Sequence, residues 1–151
     1  MMRKLALSLL VLGIVATTSA AQPPGTAPGQ YDATVEGTYG GIVATVVPVA
    51  GPDGNVGVHL NLKTATGSIV RIHLGPAIFI GMNNFSFLAD DQILVKGAWV
   101  SHDGDVAIWA REVSKEGKTL TLRSRDGTPR WPSATADDPD GCGVSHVPVR
   151  F

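Results

Sequence analysis

The sequence predicts an all-β domain of five to six short strands with one short helical insert. Three observations point there. Apolar residues recur with a period of two through most of residues 35–123, the spacing of half-buried strands. Turn compositions break that pattern about every 8–12 residues. Glycine is abundant, 18 of 151 residues, and long helix-forming runs are scarce, which favours strands joined by tight turns.

The elements follow in order. Residues 35–48 (VEGTYGGIVATVVP) read as a first strand, bent or bulged at Gly40-Gly41. Gly51-Pro52-Asp53-Gly54 is a turn by composition. Residues 56–64 (VGVHLNLKT) alternate, with Val56, Val58, Leu60 and Leu62 on one face. Residues 68–74 (SIVRIHL) do likewise, with Val70, Ile72 and Leu74 inward. Pro76 suits the first position of a short helix to about Met82. Residues 93–101 and 106–113 flank His102-Asp103-Gly104-Asp105, and Asp-Gly is a strong hairpin signal. Residues 119–123 (TLTLR) form the last strand, after a turn at 115–118. A three-strand meander, a helical insert, then a hairpin with a terminal strand is the layout of an OB-like barrel. An immunoglobulin-like sandwich needs about seven strands. Trp99 and Trp109 are expected to fill the barrel or cover its rim, Phe79, Phe85 and Phe87 to plug one end, and Trp131 to close the domain's edge.

The flanks differ in kind. Residues 1–21 combine Arg3 and Lys4, an uncharged apolar run and Ser19 and Ala21 before Gln22, the layout of a secretory signal peptide. The apolar run is shorter than the roughly 20 residues of a membrane span. Residues 22–30 (QPPGTAPGQ) read as a flexible Pro/Gly linker, residues 31–131 as the β-domain, and residues 132–151 as a second flexible tail. A periplasmic or secreted location follows, with no membrane span after signal cleavage. Cleavage leaves ten basic and thirteen acidic residues, a charge of about −3, which argues against a nucleic-acid partner. The single Cys142 excludes a disulfide framework and multi-cysteine metal sites.

The 56–74 hairpin phases itself. A three-residue loop, Ala65-Thr66-Gly67, gives Gly67 the left-handed position and opposes Leu62 to Val70, Leu60 to Ile72 and Val58 to Leu74. A two-residue loop slips the register by one and opposes apolar to polar residues throughout. On the other, water-facing side the same register sets His59 opposite His73 and Asn61 opposite Arg71, with Lys63 beside Ile69. Opposed Cβ atoms lie about 4.5–5.5 Å apart. Two imidazoles at that spacing are candidate ligands of a divalent transition metal, Zn, Cu or Ni. Asp53, His102 and Asp103 are candidate third donors. Asn61, Lys63 and Arg71 are the candidate ligand-binding residues for an anion or a peptide, and a solvated face without a ligand is the third reading.

Other chemistry is poorly represented. There is no GxSxG elbow, HExxH, CxxCH, P-loop or GxGxxG. Asp90-Asp91 and Asp103/Asp105 fit turn capping better than calcium. These readings define an exported, non-enzymatic binding module, with a structural accessory of an envelope complex, bound to a protein partner and no small ligand, as the alternative.

Residues 70–76 (VRIHLGP), Ala110-Arg111-Glu112 and the closing LRSRDGTPRW resemble small exported bacterial OB-like proteins of the magnetosome MamS/MamX type, over about residues 33–132. The resemblance implies a non-enzymatic exported β-barrel connected with metal or redox handling. MamX-type members carry c-type haem motifs; this chain has none, so haem-based electron transfer does not carry over.

Overall fold

The structure is a computed structural model, and it describes residues 29–132 except 52, 53 and 103. Residues 1–21, read above as a signal peptide, most of residues 22–30, read as a linker, and residues 133–151 with Cys142, read as a tail, lie outside the described residues. So do the candidate donors Asp53 and Asp103.

Strands β1 (Gly37–Ala50), β2 (Val56–Thr64) and β3 (Ile69–Pro76) form the meander. Helix α1 (Ala77–Met82) follows, and β4 (Gln92–His102), β5 (Asp105–Lys115) and β6 (Lys118–Thr121) complete the chain order. A 3-10 turn, Ala33–Val35, precedes β1 and is capped by Asp32, whose side chain accepts from Thr34 N–H at 2.8 Å. The described residues thus form an all-β domain with six strands in one sheet, ordered β3-β2-β1-β4-β5-β6. The pairings in that order are antiparallel. In addition β3 meets β5 in parallel, Ile72 against Ile108 and His73 against Trp109, so the sheet curls until its first strand touches its fifth.

Alternation explains the core. Leu60, Leu62, Ile72, Leu74 and Ile108 point inward and are fully buried, joined by Val43, Val95 and Val113. Ile80 of α1, Phe87, Leu120, Leu122 and Trp131 complete the same cluster, with Phe79, Phe85 and Trp99 packed against it. Phe79, Phe85, Phe87, Trp99 and Trp131 thus join the core, whereas Trp109, expected to fill the barrel or cover its rim, is buried outside this cluster, beside His73.

Three local expectations change. The irregularity in β1 falls between Val43 and Thr45 rather than at Gly40-Gly41. Gly41 instead permits close strand approach, since a Cβ there would lie 2.4 Å from the Lys63 carbonyl oxygen. Val58 pairs with Gly75 rather than Leu74, because the β2–β3 register slips between Val58 and His59. Val56, beyond that slip, is exposed. Pro76 caps α1 instead of opening it.

Candidate functional site

The hairpin register is as the residues dictate. Thr64 N–H donates to the Ser68 carbonyl at 2.9 Å, Gly67 takes φ +85°, and the pairs Leu62–Val70, Asn61–Arg71, Leu60–Ile72 and His59–His73 all form. The two imidazoles stack, with centroids 3.7 Å apart and planes at 13°. They do not emerge toward water: His59 is 8% and His73 3% exposed. The reason is a strand that a hairpin analysis omits. Parallel pairing with β5 sets Trp109 in register with His73, its ring at 6.5 Å and 17°. His102, at the end of β4, meets Trp109 edge-on at 6.1 Å.

Charge surrounds this stack. Asp105 Oδ2 lies 3.3 Å from His73 Nε2 and accepts from Arg71 Nη1 at 3.1 Å. Burial works against the Asp105 charge, but the hydrogen bond and charge of Arg71, aided by His73, hold its pKa below the ordinary aspartate value. Arg123 is fully buried, stands over Trp109 and Trp131 at 5.3 and 5.0 Å, and donates from Nη1 to the Ala110 carbonyl at 2.7 Å and the Leu74 carbonyl at 3.3 Å. Those two carbonyls lie just past the short β3–β5 pairing.

Of the expected site residues, His59 and His73 belong to this buried cluster, whereas Asn61, Lys63 and Arg71 occupy the accessible surface beside it. Asn61 Nδ2 donates to Thr45 Oγ1 at 2.7 Å. Lys63 is paired with Ile42 on one side and Ile69 on the other, and both are exposed, at 48% and 57%. Asp105, Trp109 and Arg123 are the cluster members that the sequence analysis left outside the site. They come to the stack through the pairing of β3 with β5, which no alternation pattern within one hairpin signals.

The stack is poorly shaped for an ion. A metal bound by imidazole sits about 2 Å from nitrogen, along a lone pair in the ring plane. Two planes only 13° from parallel and separated by stacking distance do not converge on such a point. Among the described residues no group of three His, Cys, Asp or Glu side chains could hold a metal ion.

The sequence segments that carried the resemblance have structural duties. Arg111 grips Glu36 through Nε at 2.5 Å and Nη2 at 3.2 Å and also bonds Glu112. Tyr31 O–H donates to Glu36 Oε1 at 2.5 Å, and Gly127 passes against the Tyr31 ring, where a Cβ would clash at 2.5 Å. Trp131 lies flat on Gly75 and meets Phe79 at 5.8 Å. Fold and site thus define a small all-β domain with a histidine–tryptophan cluster on the side of its sheet opposite the core. The model of the MamS/MamX magnetosome protein family matches residues 35–120, more than half of the chain, and the chain belongs to that family. No curated protein matches it. Among the described residues no helix is long and apolar enough to cross a membrane.

Proposed function

We propose that this chain is an exported, non-enzymatic accessory module of the MamS/MamX family, an OB-like barrel that docks an envelope protein on the outer face of β1, β2 and β3. The circuit of pairings β3-β2-β1-β4-β5 and back to β3 supports the barrel. The signal-like residues 1–21 support export to the periplasm or beyond. The family's magnetosome description supports an accessory role.

One observation carries the docking face. Ile42, Lys63 and Ile69 stand in register across three strands, with exposed Leu94 on the neighbouring strand and Asn61 and Arg71 one row away. Apolar side chains rimmed by polar ones on a rigid sheet are the composition of a protein-binding patch. Docking by strand addition is the alternative. The part of β1 beyond its pairing with β4 contains Pro48, which lacks an N–H, so the face is favoured over that edge.

A photo-crosslinking residue at Lys63 or Ile69 in the native envelope is expected to capture one defined protein, and the same residue at Arg125 none. Ile42→Asp should abolish the adduct. Equal labelling from position 125, or an adduct indifferent to Ile42→Asp, overturns the proposal and leaves a solvated face.

A further inference from the structure

We propose that α1 and the turn after it are a contact site for an anionic lipid surface, which Ile78 and Met82 enter while Lys118 and Arg130 meet its headgroup phosphates. The helix turns one face inward and leaves the other bare. Ile80 is buried in the core, and Phe79 packs on Trp131. Ile78 and Met82, one helical turn apart, are 69% and 78% exposed, more than any other large apolar side chain among the described residues. Gly81 shares their face, and a Cβ added there would meet nothing within 4 Å.

Charge is arranged to match. No residue from 74 to 89 carries a charged side chain, so the segment can leave water without stripping a charge of its hydration. Cations stand behind it. Asn83, Asn84 and Phe85, directly after the helix, share a hollow of about 390 Å³ with Lys118 of β6 and Arg130, both exposed. Among the described residues no carboxylate lines that hollow. Glu116 lines an adjoining hollow with Lys118 and Lys115, and Lys115 is held by Asp91. The rim therefore keeps a positive excess. An apolar crest with cations at its margin is the composition of a segment lying in a bilayer's interface, its apolar side chains roughly 5–10 Å deep and its cations level with anionic headgroups. A stable protein partner asks for a broad complementary face of about 800 Å². A six-residue helix with two apolar tips offers no such face, whereas a bilayer has no shape to match. The site is separate from the proposed docking face: Lys63 and Ile69 adjoin the β2–β3 turn, and α1 follows the far end of β3. Either can fail without the other.

The test uses the full chain with Cys142, its single cysteine, changed to serine, and a nitroxide attached at Met82→Cys or, in a separate sample, at Ala65→Cys in the β2–β3 turn. Vesicles of phosphatidylglycerol and phosphatidylethanolamine are compared with vesicles of phosphatidylcholine. Collisions of the label with oxygen, against those with a water-soluble nickel chelate, read its depth. On the anionic vesicles the label at position 82 is expected to pass into the acyl region while that at position 65 stays in water. Attachment of the chain through another segment does not by itself give that contrast. Lys118→Gln combined with Arg130→Gln should cut the ratio of immersed to aqueous label at position 82 roughly thirtyfold. Ile78→Asp should return that label to water. A label at position 82 that stays in water on anionic vesicles overturns the proposal, as does equal immersion at the two positions or in the two lipids. Indifference to the loss of both cations overturns it too. Spin–spin broadening at position 82 without lipid would instead assign the face to a second copy of the chain.

Discussion

Gly75 shows how single residues hold this molecule together. Its φ of +146° lies where side chains are rarely tolerated, and a Cβ would sit 2.7 Å from the Trp131 ring. The glycine thus allows β3 to slip register and lets a tryptophan from 56 residues later lie flat on the backbone. Gly75→Ala is expected to destabilise the chain by about 1–3 kcal/mol, measured by urea unfolding. An unchanged midpoint would mean that Trp131 moves aside freely. Glu36 gives a second test at this scale. Burial opposes its charge, yet the bonds from Arg111 and Tyr31 win, so its pKa lies below the ordinary glutamate value. Such a group stabilises the fold above the unfolded-state value of about 4.3, and that contribution is lost as pH falls through the lower folded-state value. The native chain should therefore lose stability below about pH 4.3 more steeply than Glu36→Gln. Parallel acid limbs for the two proteins would assign the acid response to other carboxylates, such as Asp91, which Lys115 holds at 2.6 Å.

Elements differ in how completely their own residues specify them. The β2–β3 hairpin is nearly self-determined, because Gly67 at the loop and alternating Leu60, Leu62 and Ile72 admit one register. The β5–β6 hairpin is similar, with Glu116 and Gly117 at φ +52° and +76° in a two-residue turn. The β1 irregularity was less legible. Gly40-Gly41 offered a plausible bend, but a bulge position depends on how β1 meets β2 and β4 together, and it falls at Val43–Thr45. The segment before β1 is specified almost wholly by tertiary partners: Gly29 N–H donates to the Ser101 carbonyl at 2.8 Å, and Glu36 is gripped by Arg111, 75 residues away. Nothing in residues 29–36 announces those partners.

The whole molecule depends on how β3 and β5 meet. Only two residue pairs join them in parallel, and beyond these the Arg123 guanidinium bonds the carbonyls of Leu74 and Ala110 in place of further ladder. Hydrogen bonds from a charged donor contribute about 1.5–3 kcal/mol each. Arg123→Met, which keeps an unbranched stem and removes the guanidinium donors, is expected to cost about 3 kcal/mol in urea unfolding. Amide exchange should quicken at Ile72 and His73 before it does in β1. Uniform acceleration across the sheet would show that Arg123 supports the fold in general and not this closure in particular.

Fold class, strand order and the opposition of His59 to His73 were readable along the chain, because alternation and turn chemistry act between neighbours in sequence. The burial of those rings was not. Whether a side chain meets water depends on every strand beside it, and Trp109 arrives by a parallel contact that no local pattern encodes. Contacts across one hairpin follow from adjacent residues, whereas solvent exclusion is a property of all the strands packed together, so only the assembled fold turned two strand-surface histidines into a buried stack.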